Sequence, residues 1–303
     1  MVLDRINTPT PPPQGMLTVD DLQKHAVDID FFLKNVQEKI NDMSLLNHAK
    51  DVILKTYGDV VSFSNKGKDL LKFGRNPNVG TSRSTIWYTG QDQANETYVA
   101  DNVNSIDTIS SSDATDTEVV QIQGHTMTGG NLTFVAQTVT LNGQNKVVLS
   151  TPLNRCTRVA HNNESATDLV GEIYVYEDTA ISSGKPTDTT KIHLTVPAGE
   201  NQSQKASTSI SQFDYWVISS FKASYLQKSG SNVAEVRIEC REIGGVFTPL
   251  TEAIAISTGE SKEVTFEPYL IVPKNCDVRL TSLSSASNQN ISGEMNGFLG
   301  IIT

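Results

Sequence analysis

His125 lies in "QGHTMTGG", with Gly124 before it and Gly129 and Gly130 after it, and an imidazole in such a setting can move protons near neutral pH. A lone histidine beside a glycine-rich turn is more simply a turn hydrogen-bonder, which is the reading adopted. Asp107, Asp113, Asp116 and Glu118 crowd the segment "NSIDTISSSDATDTE", and carboxylates on one loop are the ligands that calcium takes. Their spacing lacks the alternate acids and central glycine of an EF-hand, so a solvated acidic loop between strands is expected. Trp87 with Tyr88, and Tyr215 with Trp216, offer ring faces on which a sugar stacks. Neighbours in a strand point to opposite faces, so one member of each pair should enter the core. The remaining histidines, His25, His48, His161 and His193, are far apart, and the nucleophile-elbow, Walker, dinucleotide-binding and zincin motifs are missing. No catalytic residue, cofactor or metal is expected, and the chain is read as not an enzyme.

The elements that would position these residues are strands. From Ser84 onward the hydrophobic period is two. Short runs such as "STIWYT", "TEVVQIQG", "LTFVAQTVTL", "GEIYVYE", "YWVISSFKA", "AEVRIEC" and "DVRLTSLS" are rich in Val, Ile, Thr and aromatics and are bounded by Gly, Asn, Asp and Ser. Asn142-Gly143 between two such runs predicts a hairpin, because both residues tolerate the positive φ of a type I′ turn. The fold class expected is mainly β, a jelly-roll-like antiparallel sandwich over residues 84–303, with an N-terminal helical region.

That region starts differently. Residues 1–15 hold Pro9, Pro11, Pro12, Pro13 and Gly15 and predict an extended arm. Within residues 16–58, Leu22, Ala26, Ile29, Leu33, Val36, Ile40 and Met43 follow a seven-residue repeat, the spacing of a coiled-coil seam, and Thr18 with Asp21 caps its start. A stripe of this length needs a partner, either another chain or this chain's own sheet or second helix. Phe32 beside Leu33 widens the stripe, as packing within a chain prefers. Residues 59–83, with Gly67, Gly74, Pro77 and Gly80, read as a linker.

The chain has 303 residues and a formal charge of −10, and its acidity belongs to the part after residue 80. With no run of Lys and Arg to replace phosphate counterions, nucleic acid is not an expected partner. Cys156, Cys240 and Cys276 are scattered and odd in number, which argues against a disulfide framework and against zinc. No apolar h-region and no membrane-length apolar stretch occurs, so no membrane is expected, and the chain is read as made in a cytoplasm.

The phrases "NSIDTISSSDATDTEVVQIQGHT", "QTVTLNGQNKVVLSTPLNRCTRV", "GEIYVYEDTAISSGKPTDTTKIH" and "YLIVPKNCDVRLTS", taken in order, resemble a group of structural proteins of tailed bacteriophages. The resemblance covers roughly residues 84–300 and carries no functional residues across. It implies an assembly role in the virion, as capsid cement or as part of a tail or fibre, with the chain made in the host bacterium's cytoplasm. Arm, heptad helix and β-head in series then read as tether, stalk and head. The partners expected are the chain itself, as a homotrimer by analogy with three-fold cement proteins, and the major capsid or other virion proteins. The alternatives are a tail or head-fibre subunit and a host-glycan-binding module.

Overall fold

A computed structural model describes residues 67–88, 96–161, 168–226 and 232–301. The chain divides into two compact units, Met1–Val61 and Ser62–Thr303, and every described residue belongs to the second. The arm, the helical region and the seam from Leu22 to Met43 lie outside the described residues.

The described unit is built of antiparallel strands, with one 3-10 turn at Thr189–Lys191. It opens with β1 (Gly67–Val79) and β2 (Ser84–Thr85). Nine strands follow: β3 (Ile106–Ser111), β4 (Val119–Thr128), β5 (Asn131–Thr140), β6 (Val147–Leu153), β7 (Arg155–His161), β8 (Ile173–Glu177), β9 (Ile181–Ser182), β10 (Lys185–Pro186) and β11 (Ile192–Val196). The last eight are β12 (Ser207–Ile210), β13 (Asp214–Leu226), β14 (Val233–Glu242), β15 (Thr248–Pro249), β16 (Ile254–Ser257), β17 (Ser261–Val272), β18 (Cys276–Ser284) and β19 (Gln289–Ile301).

Their pairing makes two sandwiches, where the sequence led us to expect one of jelly-roll type. Sheets ordered β11-β8-β3-β6 and β5-β4-β7 close on one core, which includes Ile109, Ile122, Leu149, Val159 and Val175. Sheets ordered β1-β19-β13-β17 and β12-β18-β14-β15, with β2 on β18 and β16 on β14, close on a second core around Trp216, Phe221, Ile238 and Leu280. The first sandwich is therefore inserted between β2 and β12 of the second. Each fully buried large apolar side chain contributes about 1.5–3 kcal/mol, so each core holds its own sandwich together.

Two sequence expectations are corrected here. Residues 67–79, read as linker, are a thirteen-residue strand running beside β19 from Gly67 opposite Gly300. The glycines that suggested a linker include Gly74, where a Cβ would stand 2.3 Å from the Ile86 carbonyl oxygen and 2.4 Å from the Ala206 nitrogen. That glycine permits the close approach of another strand, a reading that composition alone disguises. Asn142-Gly143 turns the chain, with Asn145 N–H donating to the Asn142 carbonyl at 3.0 Å, but it makes no hairpin. β5 pairs with β4 and β6 pairs with β3, so this turn is a corner between the two sheets.

Candidate functional site

β14 reads "VAEVRIECRE", and its apolar members Ala234, Val236, Ile238 and Cys240 enter the core. Alternation sends Arg237, Glu239 and Arg241 to the opposite face. β18 does the same, with Cys276, Val278 and Leu280 inward and Asp277 and Arg279 outward. The register sets Arg241 opposite Asp277 and Glu239 opposite Arg279, so the outward face is a ladder of cross-strand opposite charges. A strand pattern of this kind normally marks a solvated face. Here it is covered.

The cover comes from the inserted sandwich and from the loop after β14. Arg155 at the start of β7 reaches Asp277, Nε to Oδ1 at 3.1 Å, with side chains 4% and 0% exposed. Arg241 Nη2 lies 2.9 Å from Asp277 Oδ2, and Ser209 Oγ donates to Asp277 Oδ1 at 2.6 Å. Burial pushes the Asp277 carboxyl up, but the Arg155 charge and the hydrogen bonds on it prevail and hold it below the usual carboxylate range. Glu239 is held low in the same way: burial opposes, and Arg237 at 2.7 Å and Arg279 at 2.9 Å outweigh it.

Two rings close the seam. The Arg241 guanidinium carbon lies 4.1 Å from the Tyr98 ring centre and 4.6 Å from that of Phe247, and the Arg279 carbon lies 3.7 Å from the Phe247 ring centre. Such stacks suit arginine, whose planar and weakly hydrated cation tolerates removal from water. The Tyr98 hydroxyl donates to Glu96 Oε2 at 2.8 Å, and Lys205 Nζ meets Glu96 Oε1 at 2.7 Å. Burial first, and then the Glu96 charge, push the Tyr98 phenol well above its ordinary value. Arginine forks on carboxylates offer no nucleophile and no open metal position. Chemically the network can hold two surfaces in one geometry.

The residues singled out in the sequence are dispersed. His125 lies buried in the wall facing β1 and β12, its Nδ1 without a hydrogen-bond partner and its ring edge-on to Phe134 at 5.7 Å. Burial first, and then the Lys72 charge, push this imidazole down to about 3, so it stays neutral at physiological pH and is no general base of ordinary strength. It is not the turn residue expected, because Gly129 and Gly130 turn the chain beyond the end of β4. Asp116 is a buried acceptor for the Ser111 hydroxyl and the Val170 and Gly171 N–H groups, Asp113 accepts from Thr115, and Asp107 takes Thr108. The acidic loop is thus split into local hydrogen-bond roles, and among the described residues no group of three or more His, Cys, Asp or Glu side chains is placed to hold a metal. Trp87 and Trp216 are both core residues, which takes the tryptophan faces away from a sugar platform. Sequence reasoning passed over Arg155, Glu239, Arg241, Asp277 and Arg279; the signal available was the alternation of charge in "AEVRIEC" and "DVRLTSLS".

No protein-family model and no curated protein matches the chain. Among solved structures, that of infectious bursal disease virus Gt strain is similar at 14% identity with a TM-score of 0.20, over 78% of this chain and 72% of that chain. T=1 particles derived from the same virus give 12% identity and a TM-score of 0.23, over 78% and 70%. Its VP2 subviral particle gives 11% and 0.22, over 78% and 72%. Likeness at this level assigns neither fold nor function. No helix among the described residues is long and apolar enough to cross a membrane.

Proposed function

We propose that this chain is a non-enzymatic structural component of a phage virion, a cement or decoration protein that binds and reinforces the capsid shell and associates with copies of itself, as a trimer. The observation that carries the reading is the buried seam from Arg155 to Asp277. The chain commits a buried ion pair to joining two β-sandwiches, which suits a part that bears load and transmits it between neighbours. Order of phrase across residues 84–300 supports the same class through its resemblance to tailed-phage structural proteins. A cement protein works by removing interface area from water on several capsid subunits at once, and a tether adds contacts through effective concentration.

The test is co-sedimentation of the full chain with capsid shells of the phage whose virion genes encode it. Saturable occupancy that drops when residues 1–15 are deleted, with the near-ultraviolet circular dichroism unchanged, is the result expected. Co-fractionation with tails and not with shells would replace cement by a tail or fibre role. Failure to associate with any particle fraction would overturn the proposal.

A further inference from the structure

Two lysines are buried at this junction, Lys72 on β1 and Lys205 before β12, each 6% exposed. Lys205 has a full set of acceptors: Glu96 at 2.7 Å and the carbonyls of Cys156 and His193 at 2.9 and 3.1 Å. Lys72 has one, the Thr157 carbonyl at 3.0 Å, and among the described residues no carboxylate pairs with it. An ammonium carries three donors, and a buried one without a counter-charge is costly. What lies beside Lys72 is a cavity of about 260 Å³, whose wall also carries His125 and Thr157. Leu70, Phe134, Ile210 and Leu299 make the rest of the wall largely apolar.

We propose that this cavity binds a small carboxylic acid, its carboxylate seated on the Lys72 ammonium and its apolar body lying along Leu70, Ile210 and Leu299. Two unused ammonium hydrogens match the two oxygens of one carboxylate. The volume lies just below the range of about 300–1,000 Å³ typical of ligand sites, which fits a ligand of about eight to ten non-hydrogen atoms. The cavity's own acid is distant from the head group. Asp214 stands opposite Ile301 and accepts from the Ser211 hydroxyl, whereas Lys72 stands opposite Met295, several residues further along β19.

Charge at Lys72 sets the pH dependence. Burial first, then Lys205 and Arg158, lower its amine to about 7, while Cys156 and Glu96 act the other way. His125 on β4 stays neutral above about pH 3, and Lys68 and Asp214 also line the cavity. A carboxylate therefore binds with uptake of a proton, and its affinity falls about tenfold per pH unit above neutrality.

The experiment is calorimetric titration of the full chain with sodium hexanoate and with 1-hexanol, from about pH 6.5 to about pH 8.5, on wild type and Lys72→Met. Expected are one saturable hexanoate site per chain, hexanol at least about tenfold weaker, weakening of hexanoate with rising pH, and loss of the acid-over-alcohol preference in Lys72→Met. No saturable hexanoate binding, equal binding of acid and alcohol, pH-independent binding, or an unchanged preference in Lys72→Met would each overturn the proposal. If Lys72→Met fails to fold, the acid-to-alcohol ratio and its pH dependence in wild type decide alone.

Discussion

Arg155 on the inserted sandwich and Asp277 on the enclosing one form an ion pair at 3.1 Å with almost no exposure to water, across 122 positions of sequence. Two sandwiches with separate cores are thereby held in one geometry. Asp277 is shared by Arg155, Arg241 and Ser209, so the two partners are not equivalent. Asp277→Asn strands the buried Arg155 charge and is expected to cost about 3–5 kcal/mol. Arg155→Met leaves Asp277 with Arg241 and Ser209 and is expected to cost roughly 1–3 kcal/mol. Urea unfolding midpoints of the full chain check the order. Equal costs, or costs below about 0.5 kcal/mol, would remove the pair from its clamping role.

Acid and base limbs of the stability profile are expected to trace two named groups. His125 has its imidazole lowered by burial from 6.5 to about 3, so between those values the unfolded chain binds a proton that the folded chain refuses. Stability then falls as pH drops through this window, by up to about 1.4 kcal/mol per unit. Lys72, lowered by burial from 10.5 to about 7, gives the same sign higher up: stability rises as pH rises from about 7 toward 10.5. His125→Leu should flatten the lower limb and Lys72→Met the upper one, measured as wild-type minus variant unfolding free energy against pH. Parallel profiles would contradict the assignment.

At Gly74 a methyl group has nowhere to go, since the atoms it meets at 2.3 and 2.4 Å are backbone atoms of Ile86 and Ala206. Gly74→Ala is expected to cost more than about 2 kcal/mol. Gly80→Ala, at a residue where an added Cβ meets nothing within 4 Å, should stay within about 0.5 kcal/mol of wild type in the same thermal or urea melt.

Much of the strand content was legible because period-two alternation survives in "AEVRIEC" and "DVRLTSLS". What alternation cannot tell is whether the polar face meets water or another sheet. Arg241 and Arg279 look the same in sequence whether solvated or stacked against Tyr98 and Phe247. Topology was lost for a related reason. Local signals around Asn142-Gly143 describe a turn but not the partners of its flanking strands, so one expected sandwich became two. His125 was noticed for its glycines, whereas its surroundings come from Lys72 and Phe134, distant in sequence or across a hairpin.

The central claim is that this chain assembles with copies of itself as a structural part, and the measurement that addresses it most directly is the solution mass of the full chain by light scattering, beside a variant lacking residues 1–57. The account predicts a trimer for the full chain and a folded monomer for the variant, which would make the stripe from Leu22 to Met43 the assembly seam. A full-length monomer at every concentration would contradict it and return that stripe to packing within one chain.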